Sequence, residues 1–222
     1  MSPHDPKQTP AHVHATTRDW TAYFDRTSGM PPRETLIGAL DAAADGFDQA
    51  GPSDPPLAVD VGCGYGRDTA ELLARGWRVL AQDSSADGLD RLRSNPGFLP
   101  AIRSGQLRII DDPFEDFDPP RCDLLNASFS LPFCPPSDFE AFWSRLDKAI
   151  RPGGYFCGQF FGDRDDWSIL EDRTHLTRDQ TLGRFQDYVL HSFREEDRPS
   201  NHTGEAHKHW HIFHIIARKR NQ

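Results

Sequence analysis

Asp60, Gly62, Gly64 and Gly66 stand two residues apart in the run Val59-Asp-Val-Gly-Cys-Gly-Tyr-Gly66. Glycine has no Cβ, so such positions let a ligand touch the backbone and admit φ above zero. Asp83 closes the next apolar run, and a carboxylate there can accept two hydrogen bonds from the hydroxyls of a ribose. A second group of residues suits proton transfer: His175, His207 and His209 are the candidate bases, with Lys208 between the last two. His207, His209 and His211 alternate, so they share one face of a strand, with Trp210, Ile212, His214 and Ile216 on the other. Their spacing could suit a metal, but no carboxylate or cysteine stands beside them in sequence, so no metal site is expected. Cys63, inside the glycine run, reads as a small packing residue rather than a nucleophile.

The elements around these residues must place them at one edge. Leu57 to Val61 reads as a short apolar strand and Asp68 to Arg75 as a helix closed by Gly76. The glycine run thus joins a strand to a helix N-terminus, where open α/β sheets bind ligands. Further strands are expected at 77–82, 107–110, 122–127 and 155–161, and helices at 86–93, 139–150 and 178–185. Two last strands, near 188–193 and 210–217, have no helix between them and are expected to pair antiparallel. Strands and helices alternating in this way indicate a mostly parallel, doubly wound sheet covered on both faces. Before it, Trp20, Tyr23 and Phe24 fall at helical spacing, and Pro31-Pro32 is expected to open a second helix. The expected organisation is a flexible tail over 1–15 and one domain over 16–222. Within it, 16–50 form a helical cover, 57–218 the α/β core, and 51–56 a linker.

A dinucleotide fingerprint, G-x-G-x-x-G/A, needs a small residue at its last place. Counted from Gly62 that place holds Arg67, and counted from Gly64 it holds Thr69, so both registers fail. A P-loop fails as well, because no Gly-Lys-Ser/Thr follows.

The spacing Asp-x-Gly-x-Gly-x-Gly at 60–66 resembles the first motif of the class I S-adenosylmethionine-dependent methyltransferases. The resemblance extends from residue 18 or so to the end. It is nearest to the small-molecule branch that includes the tellurite-resistance and thiopurine methyltransferases. Gly66-Arg-Asp-Thr69, Asn126-Ala-Ser-Phe-Ser-Leu-Pro-Phe-Cys134, Arg151-Pro-Gly-Gly154 and Lys208-His-Trp-His211 carry that placement. It implies a Rossmann-like, seven-stranded sheet of order 3-2-1-4-5-7-6 with the last strand antiparallel. It also implies S-adenosylmethionine as cofactor. Asp60, Gly62, Cys63, Gly64, Gly66 and Arg67 would surround its methionine part, Asp83 and Ser84 its ribose, and Asp112 and Phe114 its adenine. Asn126, Ala127 and Ser128 would lie beside the sulfonium, and Tyr23 would close over the cofactor. Trp20, Phe133, Trp167 and Lys208 are the candidates for holding the acceptor.

The expected reaction is methyl transfer to a small-molecule O, N or S acceptor. The alternatives are a non-methylating S-adenosylmethionine enzyme and a non-catalytic nucleotide-binding protein. The formal charge of −9 and the lack of a basic stripe argue against nucleic acid. No run reaches the ~18 apolar residues of a membrane span. The first 15 residues lack the apolar core of a signal peptide, and Cys63, Cys122, Cys134 and Cys157 form no CxxC pair. A cytoplasmic protein with reduced thiols is therefore expected.

Overall fold

The computed structural model describes residues 19–47, 55–200 and 208–221. The expected tail, part of the 51–56 linker and His207 lie outside the described residues. Two helices come first, α1 (Trp20–Thr27) and α2 (Glu34–Phe47). Asp19 caps α1 by accepting the Ala22 N–H at 3.0 Å, satisfying one of the donors that a first helical turn leaves over. Pro31-Pro32 precedes α2 instead of opening it. A residue before proline is pushed out of the helical region, and the Arg33 N–H goes to the Asp68 carboxylate at 3.0 Å.

The α/β part runs β1 (Leu57–Val61), α3 (Arg67–Ala74), β2 (Arg78–Gln82), α4 (Ala86–Ser94), α5 (Leu99–Ser104), β3 (Leu107–Ile110) and β4 (Cys122–Ala127). It continues with α6 (Pro136–Ala149), β5 (Ile150–Gly162), β6 (His175–Leu176), α7 (Arg178–Gly183), β7 (Tyr188–Pro199) and β8 (His209–Lys219). The sheet order is β3-β2-β1-β4-β5-β8-β7, with β6 beside the end of β5. Setting aside the two-residue β6, this is the expected 3-2-1-4-5-7-6. β1 to β5 are parallel, and β8 runs antiparallel to both β5 and β7.

Both faces of the sheet are covered, which is why its strands read as continuous apolar runs. On one face Val59, Val61, Leu125, Phe156, Phe160 and Phe213 pack with Phe142 and Trp143 of α6. On the other Ala58, Val79, Leu124, Tyr155 and Cys157 pack with Leu36 of α2, Leu72 of α3 and Leu89 of α4. Two short elements escaped the sequence reading: α5, too brief to show a helical repeat, and β6. The hairpin β7–β8 is longer than expected because the charged stretch Arg194 to Arg198 stays in register with β8. Charged side chains suit an exposed edge strand, but they carry no apolar alternation to read.

β4 and β5 approach closely where Ala127 faces Gly158. A Cβ on Gly158 would lie 2.5 Å from the Ala127 carbonyl oxygen. Gly158→Ala is therefore expected to cost about 1–3 kcal/mol in urea unfolding. Gly183→Ala, with nothing within 4 Å of the added carbon, should be close to neutral. Equal stability of the two variants would show that the β4–β5 spacing is not fixed at this point.

Candidate active site

The chain leaves β1 through Gly62, Gly64 and Gly66, at φ 67°, 54° and 90°. These left-handed values favour glycine, and all three positions are also crowded, Gly66 by the Phe98 ring at 2.8 Å from an added Cβ. A Cβ on Gly62 would meet Ser130 Cβ at 2.3 Å, and one on Gly64 would meet the Phe24 ring at 2.9 Å. β2 holds the loop from the side. The Gln82 carbonyl accepts the Cys63 N–H at 2.9 Å, and the Gln82 side chain accepts the Gly62 N–H at 3.2 Å. Its amide also donates to the Asp112 carbonyl at 2.6 Å, linking the ends of β1, β2 and β3. Asp83 accepts the Gly64 N–H at 2.7 Å with one oxygen and the Ser85 N–H at 2.7 Å with the other. Each oxygen keeps a further acceptor position. Burial raises its pKa above the ordinary carboxylate value. This cradle of bare backbone beside a doubly anchored carboxylate fits the methionine and ribose parts of S-adenosylmethionine.

Asp60 and Asn126 are engaged by their neighbours beneath the loop. Both are buried, and the Asn126 amide donates to Asp60 at 2.9 Å and to Asp68 at 3.1 Å. The Thr69 hydroxyl donates to Asp60 at 2.6 Å, and the Ser128 hydroxyl donates to the Asn126 oxygen at 3.0 Å. This knot ties β1, β4 and α3 together beneath the loop, so the Asp60 and Asn126 side chains support the cradle from below. Burial, and then the nearby Asp68 carboxylate, raise the Asp60 pKa to about 7. Cys63 is buried as well, and its pKa is pushed up by burial, which keeps it a neutral thiol. Arg67 turns its Nε to the Pro31 carbonyl at 2.6 Å and so fastens the cover. Phe114 stacks on Phe142 of α6 at 5.0 Å, Ser84 is exposed, and Ala127 is fully buried.

α1 closes over the loop. Phe24 lies against Gly64 and Gly88, and the Tyr65 hydroxyl donates to the Thr27 carbonyl. Tyr23 accepts from Arg33 at 3.0 Å. From Phe24 the rings continue to Trp20, to Phe133 and on to Trp167, with centroids 6.3, 4.8 and 6.5 Å apart. The expected acceptor residues Trp20, Phe133, Trp167 and Lys208 thus form one continuous wall. Lys208 is buried against Trp210 at 3.4 Å and pairs with Asp165 at 2.6 Å; burial lowers its pKa to about 8.

The histidines part company. His175 joins the wall, beside Phe161 and 4.0 Å from Asp165, and burial lowers its pKa. His209 does not: its ring goes to Asp197 on β7 at 2.5 Å. Successive side chains of β8 alternate, so His209 and His211 take one face while Trp210 and His214 take the other. His214 is the histidine whose position the sequence reading underrated. It meets Phe129, the one non-glycine residue at positive φ among the described residues, and Arg33 covers the same ring at 4.4 Å. Burial lowers the His214 pKa to about 4. Across the hairpin, Glu195 and Asp197 do approach His211, supplying carboxylates that sequence neighbours lacked. Arg164 lies between them, at 2.7 Å from each carboxylate and 3.0 Å from His211, and fills the place a metal would take.

A parallel sheet of this order, with a glycine cradle after β1 and an anchored carboxylate after β2, defines a class I methyltransferase fold. Residues 58–154 match the family described as Methyltransferase domain. It is similar to trans-aconitate 2-methyltransferase of Streptomyces coelicolor, 33% identical over 118 residues that cover 51% of this chain and 37% of that one. The chain spans about half the length, or less, of the curated relatives it matches. Among solved structures, TehB from Haemophilus influenzae superposes with a TM-score of 0.67 at 14% identity, over 90% of this chain and 67% of that one. The Burkholderia thailandensis 1,6-didemethyltoxoflavin-N1-methyltransferase, solved with 1,6-didemethyltoxoflavin and S-adenosylhomocysteine, superposes with a TM-score of 0.60 at 20% identity. That match covers 99% of this chain and 95% of the other. Among the described residues no helix is long and apolar enough to cross a membrane.

The raised pKa of Asp60 has a consequence for folding. A carboxyl that holds its proton more tightly when folded adds stability below its unfolded value of 3.8, and loses that contribution as pH rises to about 7. Asp60→Asn cannot titrate, so its stability relative to the parent should rise between about pH 5 and about pH 8 in parallel urea titrations. A difference that stays flat across that range would place the Asp60 pKa in the ordinary carboxylate range.

Proposed function

We propose that the protein transfers the methyl group of S-adenosylmethionine to a small-molecule acceptor by in-line displacement. The observation that carries this reading is the Gly62–Gly66 cradle with Asp83 hydrogen-bonded to the Gly64 N–H at 2.7 Å. When bound, the cofactor supplies an already activated methyl group, so the chain must mainly orient, enclose and exclude water. The backbone of 62–66 would carry the methionine part, Asp83 and Ser84 the ribose, and Asp112 and Phe114 would border the adenine. Ser128, beside the end of β4, would face the sulfonium. Tyr23 and Phe24 would close over the cofactor from α1.

The acceptor would lie along Trp20, Phe133 and Trp167, at the same edge of the sheet. Trans-aconitate and 1,6-didemethyltoxoflavin, named for two of the similar proteins, are both small molecules, which supports an acceptor of that size. If the acceptor must lose a proton, His175 is the side chain placed to take it. Its lowered pKa leaves it neutral near pH 7, the form in which an imidazole accepts a proton. All four cysteines are buried and free, in keeping with a cytoplasmic location.

Incubation with methyl-labelled S-adenosylmethionine and a fractionated cell extract tests the reading. Label is expected in the low-molecular-weight fraction, and label confined to protein or nucleic acid would contradict it. With the labelled acceptor in hand, His175→Gln should lower turnover about 100-fold or more if the proton is lost during transfer. Cofactor affinity should stay unchanged in that variant, and His209→Gln should turn over like the parent.

A further inference from the structure

Ser130, just past the end of β4, is 6% exposed, and its hydroxyl is buried with no hydrogen-bond partner among the described residues. A hydroxyl can donate one hydrogen bond and accept two, and burying it with none of them made is costly. Alanine would fill the same space without that penalty. The hydroxyl therefore requires an explanation beyond the packing of the chain.

The other polar groups of this segment are already engaged. The Asn126 amide donates to Asp60 and Asp68, and its oxygen takes the Ser128 hydroxyl at 3.0 Å and the Cys157 thiol at 3.3 Å. The Ser130 carbonyl accepts the Phe133 N–H at 2.9 Å. Only the Ser130 hydroxyl is left over.

Ser130 is also held in place at a cost. Phe129, immediately before it, stands at φ 53°, a left-handed conformation in which a bulky side chain is an outlier. Such strain persists only where the surroundings impose it, and it gathers at functional sites. Here the Phe129 N–H donates to the Gln159 side chain at 3.0 Å, and the Gln159 amide donates to the Thr35 hydroxyl at 2.9 Å. Gln159, on β5, and Thr35, on α2, are both buried. Arg33 covers the Phe129 ring at 4.4 Å, and His214 of β8 meets it at 6.1 Å. Three elements thus hold one strained residue, and the side chain whose direction it sets is Ser130.

That side chain borders the cradle. A Cβ on Gly62 would lie 2.3 Å from Ser130 Cβ and 3.2 Å from its hydroxyl oxygen. β1, which runs into the cradle, has β2 on one side and β4 on the other. Asp83 stands on the β2 side, where the ribose would lie. A cofactor with its ribose there and its methyl toward the aromatic wall after β4 has to lay its amino-acid end along Gly62. That end carries an ammonium and a carboxylate, and a hydroxyl can accept from the first or donate to the second.

We infer that the Ser130 hydroxyl hydrogen-bonds the amino-acid end of S-adenosylmethionine, and that the Phe129 turn clamped by Gln159 aims it there. This rests on the methyl-transfer reading and adds to it a side chain that positions the cofactor. The penalty of the buried hydroxyl is relieved when the cofactor binds, so it favours the loaded state.

Ser130→Ala in the full chain tests it. In calorimetry S-adenosylmethionine and S-adenosylhomocysteine should each bind the variant about tenfold more weakly, the worth of one hydrogen bond to a charged group. 5′-Methylthioadenosine, which keeps the adenosyl thioether and lacks the amino-acid end, should not distinguish variant from parent. The ligand-free variant should melt at the parent's temperature or above it, because the substitution removes a buried group that has no partner. Parent-like affinity of the variant for both cofactor forms would overturn the proposal. An equal loss for 5′-methylthioadenosine would overturn it by moving the hydroxyl to the adenosyl side, and a lower melting temperature of the free variant by making the hydroxyl a structural group. Failure of the parent itself to bind either cofactor form would instead overturn the methyl-transfer reading, and the role of Ser130 with it.

Discussion

A carboxylate in the middle of a parallel sheet has to be satisfied, and the way Asp60 is satisfied organises the site. Its oxygens take the Thr69 hydroxyl and the Asn126 amide, and Asn126 also reaches Asp68. Asp68 in turn accepts the Arg33 N–H, so one buried knot links β1, β4, α3 and the segment entering α2. Breaking any one partner would leave a buried polar group without compensation, which is more costly than the bond's net worth suggests. The knot therefore fixes the floor on which Gly62 to Gly66 rest, and in the proposed reading bare backbone and Asp83 would meet the ligand.

That division of labour explains why the two aspartates differ although both lie at strand ends. Asp60, 1% exposed, is inside the sheet and is consumed by neighbours. Asp83 lies just past β2, is only partly buried, and is anchored by two backbone N–H groups. The same edge then extends sideways through β4 and β5, where an aromatic wall replaces the polar floor. In the proposed reading, donor and acceptor halves of the reaction would be built from opposite materials, backbone amides on one side and aromatic rings on the other.

The cradle and the strand order were legible in the sequence because glycine spacing and strand–helix alternation are local signals. Asp83 was legible for the same reason. Burial of Asp60 and Asn126 was not, since a polar residue at a strand end reads alike whether it faces a ligand or a neighbour 58 to 66 positions away. The face taken by His209 was lost because the partner that decides it, Asp197, stands on another strand. Gln82, which links the ends of three strands, carried no signal beyond closing an apolar run. Asp165 and Arg173 stand in a polar stretch, and they are buried because Lys208, Phe133 and Trp210 arrive from distant segments.

Isothermal titration decides whether the Gly62–Gly66 cradle and Asp83 form an S-adenosylmethionine site. S-adenosylmethionine should bind one per chain, NAD should not bind, and Asp83→Asn should weaken the cofactor about tenfold or more while melting like the parent. NAD binding in place of S-adenosylmethionine, or an unchanged affinity in Asp83→Asn, would contradict the account.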